Sequence, residues 1–208
     1  MNVWVIGKDR WHSAEIVFQG FEQLGLDTFQ YTMTDSVEEF DANRLEDYPI
    51  VAVCRSNSQF EHEHRFWMNE DVQQSFERYV ENGGSLLVIH AGTAGYQSGE
   101  RFRKLIGGAF LHHPEACTVK ICPESSHPIA AGVEEFQVHD EHYMMDWEKS
   151  DTELIMRTVS EHGEQPGGWT KMYGQGKICV LTPGHEEEVW NHPMFQKLLN
   201  NALHWCAE

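Results

Sequence analysis

The sequence contains few basic residues. Its 208 residues include 15 Lys and Arg against 33 Asp and Glu, so the formal net charge is −18 with the 13 histidines counted as neutral. A charge of this sign and size repels the phosphates of nucleic acids and anionic lipid headgroups. We therefore expect neither a nucleic acid nor a membrane surface as a partner.

Long apolar runs are also missing. The longest, at residues 50–54 and 86–89, fall far short of the roughly 20 residues that cross a bilayer. Residues 1–7 lack the basic leader and apolar stretch of a signal peptide, and we interpret them as part of a first strand. The sequence therefore predicts a cytoplasmic protein with no transmembrane helix.

Two chemical signatures are absent as well. The five cysteines are odd in number and include no C-x-x-C pair, which argues against a disulfide framework and a cysteine zinc site. Residues 5–12 contain a single glycine, whereas the dinucleotide fingerprint needs three, so hydride transfer with a bound nicotinamide is excluded. Cys54 follows a predicted strand, and a Cys54-dependent amidohydrolase is an alternative for which the sequence offers no partner base.

What the sequence does contain is a regular alternation of strand and helix patterns. Its length and its 40% of hydrophobic residues suit one core, and we expect a single domain over residues 1–208. Apolar runs alternate with stretches of helical period, which predicts an α/β fold with a mostly parallel sheet. After residue 110 the strands lack intervening helices, which predicts a small antiparallel appendage before a C-terminal helix. The predicted strands cover residues 3–6, 28–33, 50–54, 85–90, 118–122, 137–143, 153–159, 169–172 and 177–181.

Polar residues follow four of the predicted strands. In open α/β sheets, ligands bind beyond the carboxyl ends of the parallel strands, so segments that follow different strands meet at one edge. Such an edge is expected to hold functional loops together. The four segments are residues 8–12, 55–57, 90–93 and 182–186.

His90 has the most informative position at this edge. It follows the apolar residues 86–89 and precedes Ala91 and Gly92, where the chain must turn sharply. In class I glutamine amidotransferases, which share this strand order, the same turn has the pattern G-x-C-x-G and presents a nucleophilic cysteine. An imidazole replaces the thiol here, so a glutaminase activity is not expected.

The ordered set of motifs resembles the ThuA-like family, which is named for trehalose utilisation. The resemblance implies a flavodoxin-like, class I glutamine amidotransferase-like three-layer sandwich. It also implies a role in the metabolism of trehalose, maltose or related sugars, including 3-keto sugars handled beside partner dehydrogenases. Two residues depart from the family pattern: His142 stands where an apolar residue is usual, and Gly92 where a larger one is. The motifs are His12 after the first strand, residues 83–90, 106–114 (I-G-G-A-F-L-H-H-P), 127–129 (H-P-I), 140–143 (D-E-H-Y), 173–177 (Y-G-Q-G-K) and 184–185 (G-H).

Histidines and acidic residues from these motifs are the candidate catalytic groups. We predict that His90, His113, His185 and Glu141 share one pocket. They could act as general acid and base near neutral pH. Alternatively His113, Glu141 and His185 could hold a divalent metal ion that polarises a sugar hydroxyl or carbonyl. The sequence leaves both mechanisms open.

A second group of residues is predicted to contact the substrate. Alternation along an extended chain would put Glu141 and Tyr143 on one face, with Asp140 as a supporting hydrogen-bonding group. Tryptophan rings suit the C–H faces of a sugar, although core packing explains a tryptophan as often. The predicted substrate-binding residues are Trp11, His12, Arg55, Asn57, Asp140, Tyr143 and Trp169.

These observations lead to one functional hypothesis and one alternative. The hypothesis is an isomerase, lyase or hydrolase that moves protons on a sugar or keto-sugar, with a small-molecule carbohydrate as its partner. The alternative is a non-catalytic protein that binds sugars or another subunit on an amidotransferase-like fold. A homo-oligomer is compatible with the sequence, but no residue pattern fixes its symmetry.

Overall fold

A nine-stranded mixed sheet forms the centre of the computed structural model, which describes residues 1–59, 62–96, 100–124 and 126–208. The strands are β1 (Asn2–Ile6), β2 (Gln30–Thr34), β3 (Ile50–Val53), β4 (Ser58–Gln59), β5 (His62–Phe66), β6 (Ser85–Ile89), β7 (Gly108–His112), β8 (Cys117–Pro123), β9 (Phe136–Asp140), β10 (Met144–Trp147), β11 (Glu153–Ser160), β12 (Gly163–Tyr173) and β13 (Gly176–Leu181). The helices are α1 (Ala14–Glu22), α2 (Glu70–Glu81), α3 (Arg101–Ile106), α4 (Glu187–Asn191) and α5 (Pro193–Ala207).

The order of strands in the large sheet is β2-β1-β3-β6-β13-β12-β11-β8-β9. The first five strands pair in parallel, and the remaining four continue the sheet in antiparallel pairs. The α/β class is therefore confirmed. The antiparallel strands extend the parallel sheet itself, because the β12–β13 hairpin joins both halves, and β10 pairs with β7 in a small separate sheet.

Side chains from the two faces of the sheet form two apolar clusters, which makes the fold a three-layer sandwich. Along β1, Val3 and Val5 pack in the cluster that contains α1 and α5, whereas Trp4 and Ile6 pack in the cluster that contains α2 and α3. All four residues of β3 are buried, as expected for a central strand covered by helices on both faces.

The helices begin and end where the sequence provides capping groups. Asn69 accepts a hydrogen bond from the backbone N–H of Val72 at the start of α2. At the start of α5, Pro193 occupies the first turn and the His192 side chain accepts from the backbone N–H of Met194. Among the described residues, no helix is long and apolar enough to cross a membrane.

One predicted strand boundary is wrong in a way that affects the site. The sequence predicts a strand over residues 137–143, but β9 ends at Asp140. The Asp140 carboxylate accepts hydrogen bonds from backbone N–H groups of residues 184–186, so the chain turns away from the sheet there. The alternation argument for Glu141 and Tyr143 therefore does not apply, since neither residue lies in a strand.

Candidate active site

Four side chains converge at the carboxyl edge of the sheet. His12 follows β1, His90 follows β6, Glu141 follows β9 and His185 follows β13. Each of them offers one nitrogen or oxygen atom, and these four atoms all lie within 4.8 Å of one another. The three imidazole rings are mutually edge-on, with centroids 5.0 to 5.6 Å apart.

Glu141 lies at the centre of this cluster. Its Oε2 atom is 3.4 Å from His90 Nε2 and 3.2 Å from His185 Nδ1, and its Oε1 atom is 3.4 Å from His113 Nε2. Burial alone would raise the pKa of Glu141, but the contact with His185, whose own pKa this carboxylate raises, outweighs burial and holds the pKa of Glu141 well below its usual range. Glu141 is therefore ionised at neutral pH.

His90 is held in a strained backbone conformation at the turn after β6. Its φ is +46°, in the left-handed region that residues other than glycine seldom adopt. Its Nδ1 atom is 2.7 Å from the carbonyl oxygen of Thr182. Because a carbonyl can only accept, Nδ1 carries the proton and Nε2 faces Glu141 as a lone pair. Burial lowers the pKa of His90 to about 4, so the ring is neutral at pH 7.

Gly92 makes the close packing of this turn possible. A Cβ atom at this position would lie 2.2 Å from the carbonyl oxygen of Val53 and 2.8 Å from the Val88 side chain. The departure from the family pattern at Gly92 therefore does not open additional space in the pocket. It brings the turn that carries His90 against β3.

His12 is oriented by a buried carboxylate. Its Nδ1 atom is 2.7 Å from Asp9 Oδ1, and Asp9 also accepts hydrogen bonds from the backbone N–H groups of Trp11, His12 and Ser56. Burial tends to raise the pKa of Asp9, but the hydrogen bonds from His12 and the backbone hold it well below its usual range. The ionised Asp9 therefore accepts a hydrogen bond from Nδ1 of His12, so Nε2 is the ring atom of His12 that remains available to the cluster.

Asp140 is a buried residue that holds the loop after β13. It is 1% exposed and accepts hydrogen bonds from the backbone N–H groups of Gly184, His185 and Glu186 at 2.9 to 3.2 Å. Burial raises the pKa of Asp140 to about 7, although these backbone donors oppose the shift. Its contacts fix the loop that carries His185. Contact with a substrate, as predicted from the sequence, is not available to this buried side chain.

A cavity with a volume of about 400 Å³ lies beside the cluster. Its size is in the range of small-molecule sites. Tyr143 forms part of its wall and stacks on His90 with a ring-centroid distance of 3.9 Å, and Phe110 lies 4.1 Å from Tyr143. The lining residues are Trp11, His12, Ser56, Ser58, Phe66, Ala94, Gly95, Phe110, His113, Glu141 and Tyr143.

Comparison with known proteins identifies the family. Residues 2–206 match the ThuA family, which is described as trehalose utilisation. The chain belongs to the ThuA family. No curated protein matches the sequence. The family membership supports a role in carbohydrate metabolism.

Solved structures of ThuA-like proteins share the fold of this chain. A ThuA-like protein from Parabacteroides merdae is 16% identical with a TM-score of 0.79, and the match covers 100% of this chain and 90% of that one. A ThuA-like protein from Bacteroides uniformis is 19% identical with a TM-score of 0.75 and coverage of 99% and 91%. A glutamine amidotransferase from Thermotoga maritima is 13% identical with a TM-score of 0.66 and coverage of 100% and 98%. The predicted resemblance to both fold groups is therefore confirmed.

Several predicted site residues of this ThuA protein do come together. His90, His113, His185 and Glu141 lie within contact distance of one another through Glu141, and Trp11, His12 and Tyr143 line the adjacent cavity. The group of potential metal ligands differs from the predicted one. It contains His12 and His90 with Glu141 and His185, whereas His113 lies outside it on the cavity side.

Besides Asp140, three predicted substrate-binding residues do not line the cavity. Trp169 is fully buried and donates its indole N–H to the carbonyl oxygen of Ile106, so it packs in the core. Arg55 is 2% exposed; its guanidinium lies over the Trp67 ring and donates to a backbone carbonyl. Asn57 is 1% exposed and hydrogen-bonds backbone groups of neighbouring loops. Arg55 and Asn57 hold loops that line the cavity, whereas Trp169 belongs to the core. The sequence alone cannot distinguish either role from direct contact with a substrate.

Some cavity residues were not predicted from the sequence. Ser56 and Ser58 follow β3, so their place at the carboxyl edge was an available signal. Phe110 belongs to the motif at residues 106–114 and lies two residues after the start of β7. Cys54, in contrast, is 2% exposed, and burial raises the pKa of its thiol far above the usual range. A Cys54 nucleophile is therefore not supported, because the thiolate is the reactive form.

Proposed function

We propose that this ThuA-family protein is an enzyme of carbohydrate metabolism that moves protons on a sugar or keto-sugar. The observation that carries the proposal is the meeting of one ionised carboxylate, Glu141, with three imidazoles beside a cavity of about 400 Å³. A buried neutral His90 and an ionised Glu141 in one site are the kind of perturbed groups that mark active sites.

His113 is the proposed proton-transfer group. Its Nδ1 atom is 2.7 Å from the carbonyl oxygen of Pro114, so Nδ1 carries the proton and Nε2 points toward Glu141 as a base. Unlike His90, its side chain is 36% exposed and lines the cavity, where a substrate can reach it. The contact of Nε2 with Glu141 Oε1 at 3.4 Å holds the ring at the wall of the cavity.

The cavity wall supports a sugar as the substrate. Trp11, Phe110 and Tyr143 present aromatic faces, which suit the C–H faces of a pyranose, and Ser56 and Ser58 add hydroxyl groups. A carbonyl on the sugar acidifies the neighbouring C–H bond. A base at His113 would then serve either isomerisation or elimination of a glycosidic substituent.

Turnover measurements test the proposal. We expect the wild type to convert one or more 3-keto-glycosides or parent glycosides, and we expect His113→Asn and Glu141→Gln to lower kcat at least 100-fold, the usual contribution of general acid–base catalysis. His112→Asn is the matched control, because His112 is the exposed preceding residue and does not line the cavity. Equal activity in all four proteins would refute the site. Sugar binding without turnover would identify a non-catalytic binding protein instead.

A further inference from the structure

We propose that His12, His90, His185 and Glu141 bind one divalent transition-metal ion. The inference deepens the proposed function, since such an ion would adjoin the cavity, but metal binding itself can be measured without any sugar substrate. His113 is not part of the ligand set: it lines the cavity, and its Nε2 atom contacts the other carboxylate oxygen of Glu141, Oε1.

The distances in the cluster match those of a metal site. In tetrahedral zinc sites with bonds of about 2.0–2.1 Å, neighbouring ligand atoms are about 3.3 Å apart. The Glu141 oxygen lies 3.4 Å from His90 Nε2 and 3.2 Å from His185 Nδ1. All four ligand atoms fit within a 4.8 Å span, so small side-chain rotations bring them to one ion.

The hydrogen bonding of the imidazoles also favours a bound ion. His12 Nε2, His90 Nε2 and His185 Nδ1 are buried, and none of them has a hydrogen-bond partner among the described residues. A buried polar atom without a partner costs free energy, so such atoms are rare unless a ligand or water satisfies them. His90 Nε2 and His185 Nδ1 face the Glu141 carboxylate, and His12 offers a ligand atom within 4.8 Å of the other three, so the group forms a site for a positive ion.

The outer contacts of the cluster are those that metal sites use. Metal-binding histidines usually donate their second ring N–H to a carboxylate or a backbone carbonyl, which fixes the tautomer. His12 makes this contact with Asp9 and His90 makes it with the carbonyl of Thr182, both at 2.7 Å. The backbone that carries His185 is fixed by Asp140. Three of the four ligands are therefore oriented before any ion binds.

The donor set indicates the class of metal. Three imidazole nitrogens and one carboxylate favour borderline ions such as Zn²⁺, Co²⁺ or Fe²⁺ over Mn²⁺, Ca²⁺ and Mg²⁺, which prefer oxygen ligands. Glu141, one of the four ligands, also lines the cavity, so the ion would adjoin the space proposed for the substrate. There it could polarise a sugar carbonyl or hydroxyl next to His113.

The test is a titration of the chelator-treated full-length protein with Co²⁺, followed by displacement with Zn²⁺. We expect one Co²⁺ per chain with visible absorption bands of a nitrogen-rich site of low coordination number, and bleaching of these bands by one equivalent of Zn²⁺. Glu141→Gln, His12→Asn and His90→Asn should each weaken Co²⁺ binding at least 100-fold. Asparagine is chosen at residue 90 because it tolerates a positive φ.

His113→Asn is the discriminating control. It should bind Co²⁺ within about twofold of the wild type, although it should lose turnover. Circular dichroism establishes that each variant is folded. An unfolded histidine variant is replaced by the glutamine substitution at the same position, and an unfolded Glu141→Gln by Glu141→Ala. No stoichiometric binding to the wild type, or loss of binding in His113→Asn with retention in His12→Asn, would overturn the ligand set. Metal binding without sugar turnover would leave the site standing and refute the proposed function alone.

Discussion

Asp9 shows how a single residue outside the cluster controls the site. It is neither one of the residues that line the cavity nor one of the four potential ligands, yet it accepts hydrogen bonds from His12 Nδ1 and from three backbone N–H groups. The carboxylate thus fixes both the loop after β1 and the tautomer of its histidine. Removing the charge of Asp9 should therefore lower the affinity of the site for a metal ion, although all four proposed ligands remain.

We therefore expect Asp9→Asn to weaken Co²⁺ binding about 10- to 100-fold, the range found for partners of metal-binding histidines. The asparagine amide can present its N–H side to His12 and lacks the negative charge that favours the bound tautomer. Metal titration followed by visible absorption measures the effect. Asp35→Asn is a suitable control, since Asp35 forms an exposed ion pair with Lys8. An unchanged affinity in Asp9→Asn would contradict this role.

Gly92 gives a second prediction at the level of one residue. The Cβ atom of alanine would lie 2.2 Å from the backbone oxygen of Val53, so β3 or the turn carrying His90 must move. We expect Gly92→Ala to lower the free energy of unfolding by about 1–3 kcal/mol, as overpacking does elsewhere. Urea unfolding measures this change. A fully stable variant would mean that the turn can shift without cost.

At the scale of secondary-structure elements, Glu77 connects three parts of the fold. It lies on α2, accepts a hydrogen bond from Tyr173 of β12 at 2.7 Å, and contacts Arg101 of α3. Burial would raise the pKa of Glu77, but the hydrogen bonds from Tyr173 and Arg101 and the charge of Arg101 lower it overall. The ionised form therefore stabilises the packing of α2 against its neighbours.

The lowered pKa of Glu77 predicts how the stability of the folded protein depends on pH. Because the pKa of Glu77 is lower in the folded protein, its contribution is present above the unfolded value of about 4.3 and is lost as the pH falls through the folded pKa. We expect Glu77→Gln to cost about 1 kcal/mol at pH 7, as other ion pairs do, and almost nothing near pH 2. Urea unfolding at both pH values checks this. An equal loss of stability at pH 7 and pH 2 would contradict this role of the Glu77 charge.

The loop between β9 and β10 is the element that the sequence describes least well. The motif at residues 140–143 draws attention to Glu141, but the strand ends at Asp140. His142 then turns inward, with Nδ1 2.7 Å from Ser160 Oγ and Nε2 3.1 Å from Thr158 Oγ1 of β11. His142 stands where an apolar residue is usual in the family, and its two hydrogen bonds therefore anchor the loop that carries Glu141.

We expect His142→Leu to weaken Co²⁺ binding several-fold. All four ligands remain, but the backbone next to Glu141 is no longer held against β11 by the His142 ring. The protein should stay folded, since leucine fills the buried space of the ring. Metal titration separates this positioning role from a general loss of structure when it is combined with circular dichroism. An affinity equal to that of the wild type would show that Asp140 alone fixes the loop.

At the scale of the whole molecule, the sequence predicts the edge of the sheet better than the geometry of the site. Apolar runs and helical periodicity locate β1, β3, β6 and β13, and parallel strands must direct their carboxyl ends to one edge. The same reasoning cannot tell a core indole such as Trp169 from one in a cavity. It also cannot tell which histidine nitrogen faces Glu141, because ring orientation depends on hydrogen bonds from other elements, such as the contact of His90 with Thr182.

The position of Glu141 depends on the curvature of the entire sheet. β9 is the last strand in the sheet order, four strands away from β13, yet Asp140 at its end accepts hydrogen bonds from residues 184–186 directly after β13. The antiparallel half therefore curls back over the carboxyl edge of the parallel half. An ion bound by His12, His90, His185 and Glu141 would join the two halves.

This arrangement couples metal binding to the stability of the folded chain. A ligand that binds only the folded state stabilises it by about 2.7 kcal/mol at 100 times its Kd. For a chain of 208 residues, that corresponds to a rise in Tm of roughly 5–10 °C. We expect calorimetry to show this rise when Zn²⁺ is added to the chelator-treated wild type and to His113→Asn, but not to Glu141→Gln. Equal shifts in all three proteins would place the stabilising ion elsewhere on the molecule, because only the loss of Glu141 removes the one ligand supplied by the antiparallel half.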